Sequence, residues 1–111
     1  QQPLLIAMIE HINAIDELDS ILKVDGLDAI LIGPYALSAS MDLTAQFDHP
    51  DFIAVMEKVL SKSNNAVIPC GIHVVQPSEE ELNKKINDGY LFIAYSIDAV
   101  FLNKSVKIPL F

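Results

Sequence analysis

Short apolar runs and helical stripes alternate along this chain. Leu4 to Ile9 is an unbroken apolar run after Pro3 and reads as a buried strand. Ile12, Ile15, Leu18, Ile21 and Leu22 then recur at three- and four-residue steps, one face of a helix, with Asp16, Glu17 and Asp19 on its polar side. Gly26 suits a helix stop. Ala29 to Ile32 is a second strand, and Gly33-Pro34 interrupts regular structure. Residues 35–48 read as a loop holding at most a short helical turn. Pro50 fits a first helical position, with Asp48 or His49 as its cap. Phe52, Val55, Met56, Val59 and Leu60 form the stripe of that helix, and Ser61 to Asn65 reads as a polar connection. Ala66 to Ile68 with Ile72 to Val75 gives a third strand.

Ser78 and Glu81 have the spacing of a capping box. Leu82 and Ile86 mark the buried side of the helix that follows, and Glu81 and Lys85 stand one turn apart, close enough to pair. Gly89 ends it. Leu91 to Tyr95 is a fourth strand. Asp98 can cap a last short helix over Val100 to Leu102, or that stretch extends the strand. Gly26 and Gly89 each lead directly into an apolar run, a rhythm expected of βα units. The order strand, helix, strand, helix, strand, helix, strand predicts an α/β fold with a parallel sheet and right-handed crossovers.

Composition sharpens this picture. Half of the 111 residues (51%) are hydrophobic but only 7% aromatic, and Ile, Leu, Val and Ala dominate. Strands covered by helices on both sheet faces have this character. So apolar a short chain is expected to self-associate or to lack part of its fold. The start Gln1-Gln2-Pro3, running straight into a strand, reads as a piece of a longer chain, with no signal peptide expected. Seven Lys and Arg against 15 acidic side chains give a net charge of −8, which argues against a nucleic-acid partner. No apolar run approaches the roughly 20 residues of a membrane span. The single cysteine excludes an internal disulfide framework and makes the cytoplasm the expected compartment.

In parallel α/β folds, chemistry sits at the carboxyl ends of the strands. Four places qualify: Glu10, the segment Gly33-Pro34-Tyr35-Ala36, His73 within Gly71-Ile72-His73, and residues 96–98. Glu10 is either a hard-cation ligand or a surface carboxylate at a helix start. Backbone N–H groups at Gly33-Pro34 can form an anion nest, or the segment is a plain loop. His73 is a proton donor, a ligand, a pocket wall or a structural histidine. His11 and His49 share that ambiguity, His49 being placed as a cap. Cys70 reads as a small buried hydrophobe. The chain has no CxxC, GxGxxG, Walker or GxSxG motif.

Several segments together carry a resemblance. They are 9–12 (Ile-Glu-His-Ile), 26–35 (Gly-Leu-Asp-Ala-Ile-Leu-Ile-Gly-Pro-Tyr), 37–41 (Leu-Ser-Ala-Ser-Met), His49-Pro50, Gly71-Ile72-His73, Gly89-Tyr90 and 92–98 (Phe-Ile-Ala-Tyr-Ser-Ile-Asp). Over residues 4–104 the chain resembles the HpcH/HpaI aldolase family, whose fold is a TIM (β/α)8 barrel. The resemblance covers the C-terminal half of that barrel, about four parallel βα units, and treats 1–111 as a single partial domain.

It implies a carbon–carbon lyase: a metal-dependent aldolase that cleaves 4-hydroxy-2-oxo acids to pyruvate and an aldehyde, using a divalent Mg, Mn or Co ion. Glu10 matches one metal carboxylate. The other belongs to a Gly-Pro-x-Asp-Leu-Ser motif, which here reads Gly33-Pro34-Tyr35-Ala36-Leu37-Ser38. Ala36 stands at the metal Asp position and has no donor atom. Asp42 stands where the family usually has Gly, a position that suits a backbone conformation disfavouring side chains. Gly33, Pro34, Tyr35, Ala36 and His73 are the expected substrate-binding residues. The family's proton-transfer Arg and His come from the absent half, so no catalytic residue is expected in this one.

The expected partners are a small pyruvate-like 2-oxo acid, and either further copies of the chain or a complementary N-terminal half, because open strand edges template pairing. No membrane partner is expected. Two readings compete: an impaired lyase half, and a non-catalytic assembly or binding module on the same scaffold. Lys107 to Phe111 is read as too short and too proline-broken for the family's C-terminal helix. A flavodoxin-like binding protein is disfavoured, since no phosphate loop follows the first strand.

Overall fold

In the computed structural model, residues 2–106 are described. The reading of Lys107 to Phe111 lies outside them. Four strands, β1 (Ile6–Ile9), β2 (Ala29–Ile32), β3 (Cys70–Val74) and β4 (Phe92–Tyr95), pair in chain order into one sheet. All three pairings are parallel. Six helices follow or bridge the strands: α1 (Ile12–Asp16), α2 (Leu18–Leu22), α3 (Pro34–Ser40), α4 (Pro50–Asn65), α5 (Glu79–Asp88) and α6 (Asp98–Ser105). The predicted α/β fold of four parallel βα units is present.

The elements follow from local chemistry. Ser78 Oγ accepts from the Glu81 N–H at 3.3 Å, as the capping box requires, and Gly89 closes α5 with φ +105, a value only glycine adopts without strain. Two histidines cap helices: His11 Nδ1 accepts from the Asn13 N–H and His49 Nδ1 from the Asp51 N–H, both at 3.1 Å. His49 is therefore the cap of α4. Reciprocal bonds zip the start of the β1–β2 ladder, with Leu5 N donating to Asp28 Oδ2 at 2.7 Å and Asp28 N to Leu5 O at 2.9 Å.

Several expected boundaries move. The stripe from Ile12 to Leu22 is broken at Glu17 into α1 and α2, although its buried residues, Ile15, Leu18 and Leu22, stay on one side. Pro34 does not end regular structure. It starts α3, because its fixed φ and missing N–H suit a first turn. Ser61 to Asn65 continues α4, and Ser63 turns inward to donate to Leu60 O at 2.9 Å. Ala66 to Ile68 is not strand: Ala66 and Val67 form a turn, with Val67 at φ +58. Asp98 begins α6 rather than capping it; Ile97 is the cap residue. The α5 side chains pack loosely. None is buried, Ile86 is 54% exposed, and Lys85 lies 5.9 Å over the Tyr90 ring rather than beside Glu81.

Side chains of a strand alternate between sheet faces. Ile9, Ile30, Ile32, Cys70, Ile72 and Val74 turn to the helices and form the core with Leu18, Phe52, Met56 and Val59. Lys62 Nζ donates to both Asp19 oxygens at 2.9 Å across α4 and α2, and this holds the Asp19 carboxyl below its usual range. The opposite face carries Ile6, Met8, Leu31, Gly71, His73 and Phe92. No helix among the described residues covers it, and Met8 is 51% exposed. On this face a Cβ added to Gly71 would lie 2.4 Å from the Phe92 ring, so the ring occupies the space a side chain at 71 would take.

Two stability outcomes follow. Gly71→Ala displaces the Phe92 ring and lowers stability by about 1–3 kcal/mol; the loss shrinks in a Phe92→Leu background, as denaturant titration of the double-mutant cycle checks. Val67→Gly relieves a β-branched side chain from left-handed backbone and gains about 1 kcal/mol, read as a higher Tm.

Candidate functional site

The register brings the predicted residues to one end of one face. Ile9 pairs with Ile32, and Ile32 with Ile72. One step further on, Glu10, Gly33 and His73 stand side by side, and His73 pairs with Ala94. By strand alternation all four belong to the helix-free face, at the carboxyl ends of the strands. Glu10 and His73 are two strand spacings apart, roughly 10 Å between backbones. Gly33 between them has no side chain. A Cβ there would sit 3.1 Å from Glu10 Cγ and 3.2 Å from Oε1, so the glutamate leans over the glycine. The carboxylate itself is exposed.

Gly33 N donates to Ile9 O at 3.0 Å, and its carbonyl accepts from Leu37 N at 3.0 Å, the first turn of α3. Pro34 has no N–H, and Tyr35 and Ala36 have no helical carbonyl four residues behind them. Their two N–H groups therefore point out of the helix start, on exposed residues. Tyr35 stacks edge-on against Phe47 at 5.0 Å between centroids, and Phe47 leans on Phe52 at 5.4 Å.

Two serines that the sequence reading named only as part of the resemblance fix this entry. Ser38, fully buried, donates from Oγ to Tyr35 O at 2.9 Å and accepts from Ala45 N at 3.1 Å. Ser40 Oγ donates to Leu37 O at 2.6 Å and accepts from Ile12 N at 2.8 Å, tying α3 to the segment after Glu10. Their signal was a pair of serines two apart inside a short helix, where hydroxyls compete for backbone partners. Asp42 takes φ +57, as expected for a position that suits Gly.

His73 is half-buried and its Nε2 lies 3.0 Å from Ser96 O. Ser96 is itself unusual. It has φ +59, its N–H donates to Val74 O at 2.6 Å, and its buried Oγ has no partner. The Cys70 thiol is buried and pushed up to about 11 by desolvation, which leaves it protonated and unreactive. Burial also raises the Tyr90 phenol.

A groove of about 850 Å³ lies elsewhere, between α4 and α5 on the helix side, and reaches this end only at Pro34, Tyr35 and His73. Glu10 is not on its wall, so the strand-end row, and not the groove, unites the chemistry-bearing residues. Among the described residues, no group of three or more His, Cys, Asp or Glu side chains is placed to hold a metal. Nor is any helix long and apolar enough to cross a membrane.

Residues 1–104 match the family model described as HpcH/HpaI aldolase/citrate lyase. The chain belongs to this family. It is 32% identical over 102 residues to the 2-keto-3-deoxy-L-rhamnonate aldolase of Klebsiella pneumoniae, covering 92% of the chain and 38% of that enzyme. It is 32% identical over 106 residues to the hydroxypyruvate/pyruvate aldolase of Roseobacter denitrificans, covering 96% and 41%. The crystal structure of an HpcH/HpaI aldolase from Desulfitobacterium hafniense superposes with a TM-score of 0.82 at 28% identity, over 91% of this chain and 39% of that one. The chain thus spans about two-fifths of the length of these relatives, and its four strands are consecutive βα units of their TIM barrel.

Ser38→Ala leaves the Ala45 N–H without its acceptor and loosens the α3 entry. A loss of about 1–3 kcal/mol is expected in denaturant unfolding, with faster amide exchange at Ala45.

Proposed function

We propose that this chain supplies the 2-oxo acid side of a carbon–carbon lyase, an aldolase acting on 4-hydroxy-2-oxo acids to give pyruvate and an aldehyde. The row of Glu10, Gly33 and His73 at the carboxyl ends of three adjacent parallel strands carries this reading. Membership of the family supports it. So do relatives named for pyruvate and hydroxypyruvate chemistry. The Tyr35 and Ala36 N–H groups hold the substrate carboxylate, Gly33 and Pro34 leave room for its approach, and His73 forms the wall beside it.

The family is a metal-dependent aldolase group, and Glu10 is the residue that would meet a divalent Mg, Mn or Co ion. The donor set does not fit a tight hard-cation site. Ala36 has no oxygen to offer, and one carboxylate competes poorly with the ion's hydration shell. No step of this reading is therefore routed through a metal. Turnover by this chain alone is impaired, since the groups that move protons lie outside it. The strands that complete the barrel come from a second copy, a complementary half-barrel or the rest of a larger enzyme, in the cytoplasm, with no nucleic-acid or membrane partner. The substitution at Ala36 also favours a second reading, a non-catalytic assembly or binding module on the aldolase scaffold.

Calorimetric titration of the chain with Mn²⁺ tests the metal argument. Binding no tighter than millimolar is expected, and Ala36→Asp should tighten it by roughly tenfold or more. Micromolar binding by the unaltered chain contradicts the reading of Ala36. A folded Ala36→Asp variant with unchanged affinity contradicts the placement of that residue.

A further inference from the structure

Of the three histidines, two are accounted for: His11 and His49 accept backbone N–H groups at Nδ1 as helix caps. His73 differs. It faces the helix-free side of the sheet, beside Gly33, and its contact is with a carbonyl, Ser96 O, at 3.0 Å from Nε2. A carbonyl oxygen only accepts, so Nε2 must carry the proton. In the neutral ring Nδ1 is then a lone pair, able to accept and unable to donate.

The carbonyl that imposes this is itself held at some cost. Ser96 has a side chain yet adopts φ +59, where L residues are strained, and it is 94% buried by its 6% exposure. Its N–H is fixed on Val74 O at 2.6 Å, within the strand that carries His73. Its hydroxyl makes no bond, so the hydroxyl does not explain the conformation. What the conformation does is turn the carbonyl onto His73. Strain of this kind gathers at functional sites.

We propose that Ser96 is a positioning residue that locks His73 as the Nε2–H tautomer, and that His73 Nδ1 accepts a hydroxyl proton donor of the ligand. The inference rests on the 2-oxo acid reading, whose 4-hydroxy-2-oxo acids already carry a hydroxyl, and deepens it by naming the atom that meets that group. A lone pair gains a hydrogen bond from such a ligand and nothing from pyruvate, and sites built to bond a hydroxyl discriminate strongly against analogues lacking it.

The test is imidazole ¹⁵N NMR on the full chain at neutral pH. His73 should show a pyrrole-type Nε2 and a pyridine-type Nδ1. Ser96→Gly, which adopts φ +59 freely and keeps the carbonyl, should preserve that single tautomer. Ser96→Val, which resists positive φ, should give a mixture of tautomers. A protonated Nδ1 or a mixture in the unaltered chain overturns the lock, as does a folded Ser96→Val variant with the single tautomer intact. If Ser96→Val does not fold, the unaltered chain and Ser96→Gly still decide. Titration with millimolar hydroxypyruvate and then pyruvate reads the ligand. Hydroxypyruvate should shift both the Tyr35 and Ala36 amides and His73 Nδ1, and pyruvate the amides alone. Amide shifts with Nδ1 unmoved by either acid overturn this inference and leave the proposed function standing. The absence of shifts at the Tyr35 and Ala36 amides with both acids overturns the proposed function, whatever the tautomer.

Discussion

The two-residue period of a strand is the constraint on which this molecule depends. It sends Ile9, Ile32 and Ile72 into the helix-covered core and sends their chain neighbours Glu10, Gly33 and His73 to the opposite face. A slip of one residue in either ladder would exchange the two sets, burying the charge and exposing the isoleucines. The burial of those isoleucines therefore also aligns the site. Packing energy and site geometry are set by one register, and neither can be altered without the other.

Around that register, hydrogen bonds from backbone N–H groups to serine hydroxyls hold the entry to α3. Ser40 links it to Ile12, just past Glu10, and Ser38 links it to Ala45 in the following loop. The segment after the strand-end carboxylate and the helix start beside it are thus tied together. Ala36 sits within that helix start, exposed and without donor atoms. In the proposed reading the scaffold of the site is kept while the chemistry at one position is gone. That combination keeps a lyase ancestry and a binding role both compatible with the same fold.

Much of this was legible in the sequence. Apolar runs marked all four strands, because buried parallel strands need little else, and the Ser78 box and Gly89 bracketed α5 through local chemistry alone. The carboxyl-end rule singled out Glu10, the Gly33 segment and His73 before any coordinates. What failed depended on tertiary context. Pro34 reads as a breaker until a helix starts on it. Ser61 to Asn65 reads as linker until α4 runs through it with Ser63 turned inward. The hydroxyls of Ser38 and Ser40 hinted at backbone partners, but that they accept from Ala45 N and Ile12 N, outside their own helix, is something no stripe encodes. The left-handed backbone of Ser96 was equally hidden, since serine rarely adopts it.

The Phe92 ring against Gly71 replaces bare backbone with an aromatic surface on the helix-free face, one alternation below His73, which is two residues or about 6.6 Å of strand rise. A group that settles there meets the quadrupole of a ring, which favours an apolar or cationic contact over a carboxylate.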